Sequence, residues 1–254
     1  MIRTLFTALI VAVATLILAP TAIVARLLRL PDGRRSVGQW CMRTWARSVA
    51  AAGGARVVVH GVENIFPTRG AVYACNHVSL FDVVAVASVL PQYTFIAKAE
   101  LRKVPLFGWG AEAAGVVFLT RENRKAAFDS YRDAAREVSR GKSVVVFPEG
   151  TRGVDYHLRP FKKGPFVLAI AAGAPIVPVV IHGALEMTPK GKFQARANTV
   201  HLHFLAPFET AGLDYERRHE AMRAVWERMA ACLEREYGVT TKEHPIAESS
   251  HDTA

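Results

Sequence analysis

Residues 71–82 read AVYACNHVSLFD, and the residues that continue them, VVAVASVL at 83–90, are apolar almost throughout. Ala71 to Cys75 have the character of a short buried strand, and they run without a break into the polar pair Asn76 and His77. Ser79 and Asp82 then stand where a helix start would place its cap and its first-turn carboxylate. A strand feeding through a polar turn into an apolar helix is a repeating unit of α/β domains. Further runs rich in Val, Ile and aromatics occur at 56–60, 93–97, 116–119, 143–147, 176–181 and 199–205. Helical patterns lie between several of them. Over 124–140, Ala127, Phe128, Tyr131, Ala134, Ala135 and Val138 form one apolar stripe that Gly141 stops. Over 214–237, Met222, Val225, Trp226, Met229 and Leu233 share a face, and Gly238 follows. The alternation predicts an α/β fold, a mixed and largely parallel sheet flanked by helices, with its active site at the carboxyl ends of the strands.

The chain has 254 residues, enough for one large domain with an appendage. The division expected is an N-terminal membrane-associating part at 1–52, a folded domain at 53–240 and a polar, aperiodic tail at 241–254 that is expected to be disordered. Lys and Arg number 32 against 22 acidic residues, and the net charge of +10 implies anionic partners without choosing among them. Cys41, Cys75 and Cys232 are odd in number and widely spaced, which suggests neither a disulfide framework nor a zinc site.

Residues 5–25, LFTALIVAVATLILAPTAIVA, carry no charge and are long enough to cross a hydrocarbon core of roughly 30 Å as a helix. A cleaved signal peptide is the competing reading, although the run exceeds the ~7–15 residues usual for such a segment. Arg26, Arg29, Arg34, Arg35, Arg43 and Arg47 form a basic collar after it, which would be held on the cytoplasmic face, and 40–52 form a second, milder apolar segment. Pro20 removes a helical hydrogen bond and is expected to kink or break the first helix. Spanning the bilayer and dipping into one leaflet both remain open. Because the basic residues cluster beside an apolar segment rather than among stacking aromatics, nucleic acid is not expected as a partner.

G-x-S-x-G, Walker A, G-x-G-x-x-G and H-E-x-x-H are all absent, which disfavours serine hydrolase, nucleotide, dinucleotide and zinc-peptidase chemistry. The pair His77 and Asp82 remains, with no side-chain nucleophile in a motif of its own. It suits a general base that activates a substrate hydroxyl. Ser79 and Asp82 read equally well as a helix cap, with His77 an ordinary turn residue. Arg121 ends the strand pattern GVVFLTR and Arg152 lies in FPEGTRG, so two guanidinium groups stand at strand ends, either as phosphate ligands or as solvated surface groups. Lys98, before the apolar cluster Val104, Leu106 and Trp109, could serve an amphiphile with a charged head, or the cluster could be core. Cys75 reads as a small buried residue, and His182, His201 and His203 as structural or surface histidines.

Four blocks occur in order: N-H-x-x-x-x-D at 76–82, G-x-x-F-x-x-R at 115–121, F-P-E-G-T-R at 147–152 and V-P-V at 177–179. Together they resemble the glycerolipid acyltransferase family typified by bacterial 1-acylglycerol-3-phosphate acyltransferases. The resemblance implies that His77 is the catalytic base and Asp82 its orienting partner. It places Arg121, Glu149, Gly150, Thr151 and Arg152 in the acceptor-phosphate site, with Lys98 nearby on a looser match. It further implies a lysophospholipid acceptor, an acyl-CoA or acyl carrier protein donor, and an N-terminal two-helix element on the cytoplasmic face of the inner membrane. The expected reaction is acylation of the sn-2 hydroxyl of 1-acylglycerol 3-phosphate to phosphatidic acid. The alternatives are another acceptor, such as glycerol 3-phosphate or a different lysolipid, or thioester hydrolysis. No metal or organic cofactor is needed, and donors for the oxyanion are expected among backbone N–H groups near the helix start.

Overall fold

The computed structural model of the chain describes residues 1–120, 124–192 and 194–241, with backbone alone for 124–129. Arg121, Phe193 and the expected tail from residue 242 onward lie outside the described residues. Among the described residues seven strands form one sheet: β1 (Ala55–His60), β2 (Val72–Cys75), β3 (Tyr93–Lys98), β4 (Val117–Leu119), β5 (Ser143–Val146), β6 (Ile176–His182) and β7 (Asn198–Phe204). Their order is β1-β7-β6-β2-β5-β3-β4. From β6 to β4 every neighbouring pair is parallel, whereas β7 runs antiparallel to β6 and carries β1 parallel to itself. The sheet is therefore mixed and largely parallel. The carboxyl ends of its five parallel strands lie along one edge.

Among the described residues seven α-helices accompany it: α1 (Ile2–Leu27), α2 (Val37–Gly53), α3 (Leu80–Val89), α4 (Phe107–Ala113), α5 (Arg124–Ser139), α6 (Gly164–Ala172) and α7 (Arg218–Tyr237). The central strands β2, β5 and β6 are buried on both faces, and their alternating side chains feed two cores. Tyr73, Cys75, Val145, Val177 and Ile181 pack with α2 and α3 on one side. Val72, Ala74, Val144, Val146 and Val180 pack with α5, α6 and α7 on the other. Helix α3 is apolar almost all round because it lies between the sheet and α2. A Cβ on Gly53 would come within 2.3 Å of the Phe81 ring, so glycine at the end of α2 lets α3 seat closely. The buried Gln39 fixes the same helix to the sheet, its amide donating to Tyr93 O at 2.7 Å and accepting from Tyr93 N at 3.1 Å.

Helix α1 is 26 residues long with a mean hydropathy of 2.5 over its most apolar window, which is long and apolar enough to cross a membrane. Its two faces differ. Ala14, Leu18 and Ala22 pack on Cys41 of α2, whereas Leu5, Leu9, Val13, Leu16, Ile17 and Val24 point outward and are exposed. Contacts with the rest of the protein are spread along the helix. Thr4 Oγ1 accepts from Ala195 N at 3.1 Å, Thr15 Oγ1 accepts from Trp45 Nε1 at 3.0 Å, and Ala19 abuts Gly110 of α4. The helix also runs unbroken through Pro20, so the break among the two expected outcomes does not occur. Proline costs one main-chain bond there, and the packing on either side of it, with Ala19 and Ala22 both buried, keeps the helix in one piece.

Candidate active site

Three turns meet at the carboxyl-end edge. The first follows β2. Asn76 closes it onto β6 with a reciprocal pair of bonds, its Nδ2 donating to Ile181 O at 3.0 Å and its Oδ1 accepting from Ile181 N at 2.7 Å. His77 comes next, and then the start of α3. Ser79 is the N-cap, its Oγ accepting from Phe81 N at 3.3 Å and donating to Thr188 O at 3.2 Å. Asp82 Oδ2 accepts from Ser79 N at 2.7 Å, from Val78 N at 2.7 Å and from His77 Nδ1 at 2.8 Å. The capping and base-orienting readings of Asp82 are thus one geometry. The carboxylate that closes the capping box also grips the imidazole.

Because a carboxylate only accepts, Nδ1 carries the proton and the lone pair of His77 is on Nε2. The ring stacks on Phe147 at 4.1 Å between centroids, and 16% of the side chain remains exposed. Asp82 itself is fully buried.

The second turn follows β5 and carries Glu149 to Arg152. Glu149 Oε1 accepts from His77 N at 3.0 Å, and Gly153 N donates to His77 O at 2.7 Å. His77 is therefore clamped on both its backbone groups by the neighbouring turn. Oε2 of Glu149 accepts from Arg159 Nε at 3.1 Å, and the same guanidinium donates to Thr151 O. Burial pushes the Glu149 carboxyl up to about 7, against the opposing pull of the His77 N–H and of Arg159. Gly150 takes a positive φ of 76°, which sharpens the turn. Thr151 is exposed and Arg152 half-buried. The Arg152 guanidinium makes no hydrogen bond or ion pair among the described residues, while its backbone carbonyl accepts from Lys190 Nζ at 3.1 Å.

The third turn follows β3. Lys98 ends that strand, pairs in register with Leu119 of β4, and is exposed. His77, Glu149, Gly150, Thr151, Arg152 and Lys98 thus stand at strand ends along one edge. Leu119 brings the chain to the same edge two residues before Arg121. Cys75 is completely buried and its thiol is pushed well up, first by burial and then by the nearby Asp82, so it is not poised as a nucleophile. Three of the N–H groups near the helix start are already engaged and are not free for an oxyanion. The N–H groups of Val78 and Ser79 go to Asp82 and that of Phe81 goes to Ser79.

Two residues that the sequence pattern does not single out complete the frame. Arg159 holds the Glu149 carboxylate. The Tyr156 hydroxyl accepts from Gly183 N at 2.7 Å and donates to Glu186 at 2.8 Å, pinning the turn after β6. Both lie in the loop after F-P-E-G-T-R, where no periodicity marks them.

A sheet edge carrying a carboxylate-held histidine, with an arginine that has no partner among the described residues on the neighbouring turn, is in keeping with the comparisons. The family model described as Acyltransferase matches residues 56–182, half of the chain, and the chain belongs to that family. It is similar to a chloroplastic 1-acyl-sn-glycerol-3-phosphate acyltransferase of Brassica napus, 34% identical over 62% of this chain and 46% of the relative. A 1-acyl-sn-glycerol-3-phosphate acyltransferase of Saccharomyces cerevisiae is 32% identical over 83% of this chain and 71% of the relative. Among solved structures, the 1-acyl-sn-glycerophosphate (LPA) acyltransferase PlsC from Thermotoga maritima matches with a TM-score of 0.72 and 28% identity, over 94% of this chain and 100% of that one. The chain spans about half the length of several of these curated relatives, 46%, 44% and 52% in three cases.

Proposed function

We propose that the protein transfers a fatty acyl group from a thioester donor, acyl-CoA or acyl carrier protein, to the sn-2 hydroxyl of 1-acylglycerol 3-phosphate, giving phosphatidic acid. The observation that carries this reading is the His77–Asp82 pair with no enzyme nucleophile beside it among the described residues. Cys75 is buried, and the Ser79 hydroxyl is spent on Thr188 O. The nucleophile is then the substrate's own hydroxyl. Nε2 of His77 takes its proton as the oxygen attacks the thioester carbonyl, and Asp82 stabilises the imidazolium. When the tetrahedral intermediate collapses, the C–S bond breaks and the proton passes from His77 to the departing thiolate. The reaction so written is balanced without a metal or organic cofactor.

Arg152, with Arg121 and Lys98, supplies charge for the acceptor phosphate, and bidentate contact from a guanidinium would distinguish a phosphomonoester from a neutral headgroup. Glu149, Gly150 and Thr151 shape that same site, Glu149 by holding the two turns together. The relatives named above act on 1-acyl-sn-glycerol 3-phosphate, as their names state, which favours this acceptor over glycerol 3-phosphate.

The outward apolar face of α1 supports a site at the membrane, and Arg26, Arg29, Arg34 and Arg35 suit the anionic cytoplasmic surface of the inner membrane. Since α1 touches the catalytic part at Thr4 and Ala19, and α2 at Thr15, its exposed side lies along the protein rather than projecting from it. That arrangement favours insertion into one leaflet. Purified protein offered 1-acylglycerol 3-phosphate, glycerol 3-phosphate and 1-acylglycerophosphocholine, each with acyl-CoA and with acyl carrier protein thioester, tests the assignment. Preference for the first acceptor supports it. Preference for another acceptor, or release of free fatty acid without one, replaces it.

A further inference from the structure

Away from this site, three imidazoles converge on β1 and β7. His60 and His203 are direct partners in the parallel register, and His201 lies two residues before His203 on the same face. One ring nitrogen on each lies within 4.8 Å of those on the other two. His60 Nε2 and His201 Nδ1 are 3.1 Å apart. His60 is exposed, His201 half-buried and His203 buried. We propose that His60, His201 and His203 bind a divalent transition-metal ion of the zinc class, at a place separate from the acyl-transfer site.

Imidazole nitrogen is a preferred donor for such ions, and the three rings arrive on two strands fixed by sheet hydrogen bonds. A hydrogen bond between two neutral imidazoles needs one shared proton. A metal ion can replace that proton. With metal–nitrogen bonds of about 2.0–2.1 Å, two nitrogens at the observed separation subtend roughly 95–100° at the ion, close to what four- or six-coordinate sites require. His203 has the outer partner that ligating histidines usually need, since its Nε2 lies 2.6 Å from the Tyr237 hydroxyl and leaves Nδ1 for the metal. The exposed carboxylate of Glu236 lies within electrostatic reach of His60 and His203, and is itself paired with Arg235 at 2.8 Å.

The rings of His60 and His203 lie face to face at 4.2 Å, so binding turns the His60 ring. His60 can do so because its side chain is exposed and the strand ends with it. The ion would then fasten the edge strand β1 to β7. His77 follows β2, on the other side of β6 from the cluster, so the ion takes no part in the chemistry proposed there.

The test uses the untagged full chain in detergent, stripped with chelator and titrated with Zn²⁺ against a chromophoric competitor, with Co²⁺ absorption reporting imidazole ligation. One equivalent should bind and raise the thermal midpoint. His60→Ala should weaken binding by ~100-fold or more, and Tyr237→Phe, which removes only the outer partner, by ~10-fold. His60 is exposed, so its variant folds, and thermal unfolding of the metal-free variant verifies that. Lack of saturable binding, or unchanged affinity in His60→Ala, overturns the site and leaves the cluster as stacked rings alone.

Discussion

The 2.8 Å bond between His77 Nδ1 and Asp82 Oδ2 ends on the same carboxylate oxygen that closes the cap of α3. The helix start and the hold on the His77 imidazole are therefore one construction, and mutations should separate their contributions. Asp82→Asn should lose most of the activity, because an amide neither stabilises imidazolium nor enforces the tautomer. It should also lose about 1 kcal/mol of stability, the usual worth of a cap. Ser79→Ala should lose a similar amount of stability while keeping far more activity, since the Oδ2 contact to His77 survives. Parallel unfolding curves and turnover rates decide. Equal activity losses in both variants would mean that Asp82 acts only through the cap.

Arg152→Ala should raise the KM for the phosphate-bearing acceptor by ~30-fold or more and leave the thioester KM nearly unchanged. Arg121→Ala should behave alike. Steady-state kinetics with each substrate varied in turn checks this. Equal effects on both substrates would remove these arginines from the acceptor site.

Glu149 gives a pH signature. Burial raises its carboxyl from the usual 4.5 to about 7, so between those values the folded protein holds a proton that the unfolded chain has released. Stability then falls as pH rises through that window, by linkage, with an upper bound of about 3 kcal/mol. Glu149→Gln keeps an acceptor for His77 N and should abolish the trend. Urea midpoints at pH 5 and pH 8 for both proteins measure it, other groups cancelling in the difference. A wild-type-minus-variant difference that does not change with pH would contradict the assigned shift.

Leu9, Val13 and Leu16 face outward from α1, so lysine at all three should leave the fold intact and release the protein from membranes. The wild type should stay with the membrane fraction through a high-salt wash, because apolar burial is not screened. Wild-type protein in the soluble fraction would refute the membrane role of α1.

Much of this was legible because it is local. A strand, a polar turn and an apolar helix are contiguous at 71–90, and caps, turn glycines and strand-end arginines are read within a few residues. The clamp of His77 by Glu149 and Gly153 joins positions over 70 apart, so no local pattern reveals it. The reversal of β7 against β6 depends on how the chain returns through residues 183–197, which carry no periodic signal. Helix α6 hides because it is apolar on nearly every side, which a short run cannot distinguish from a strand. His60 lies 141 residues from His201 and gathers with it only once β1 pairs with β7.

The role given to His77 is tested most directly by turnover of the His77→Ala protein with a labelled acyl thioester and 1-acylglycerol 3-phosphate. General-base catalysis typically contributes 10²–10⁴-fold. His77 lies in a turn, with Asp82 still held by Val78 N and Ser79 N when the ring is gone. The variant should therefore fall to about 1% of the wild-type rate or less while keeping a cooperative unfolding transition. A folded His77→Ala protein that still makes phosphatidic acid at half the wild-type rate would show that some other group activates the hydroxyl.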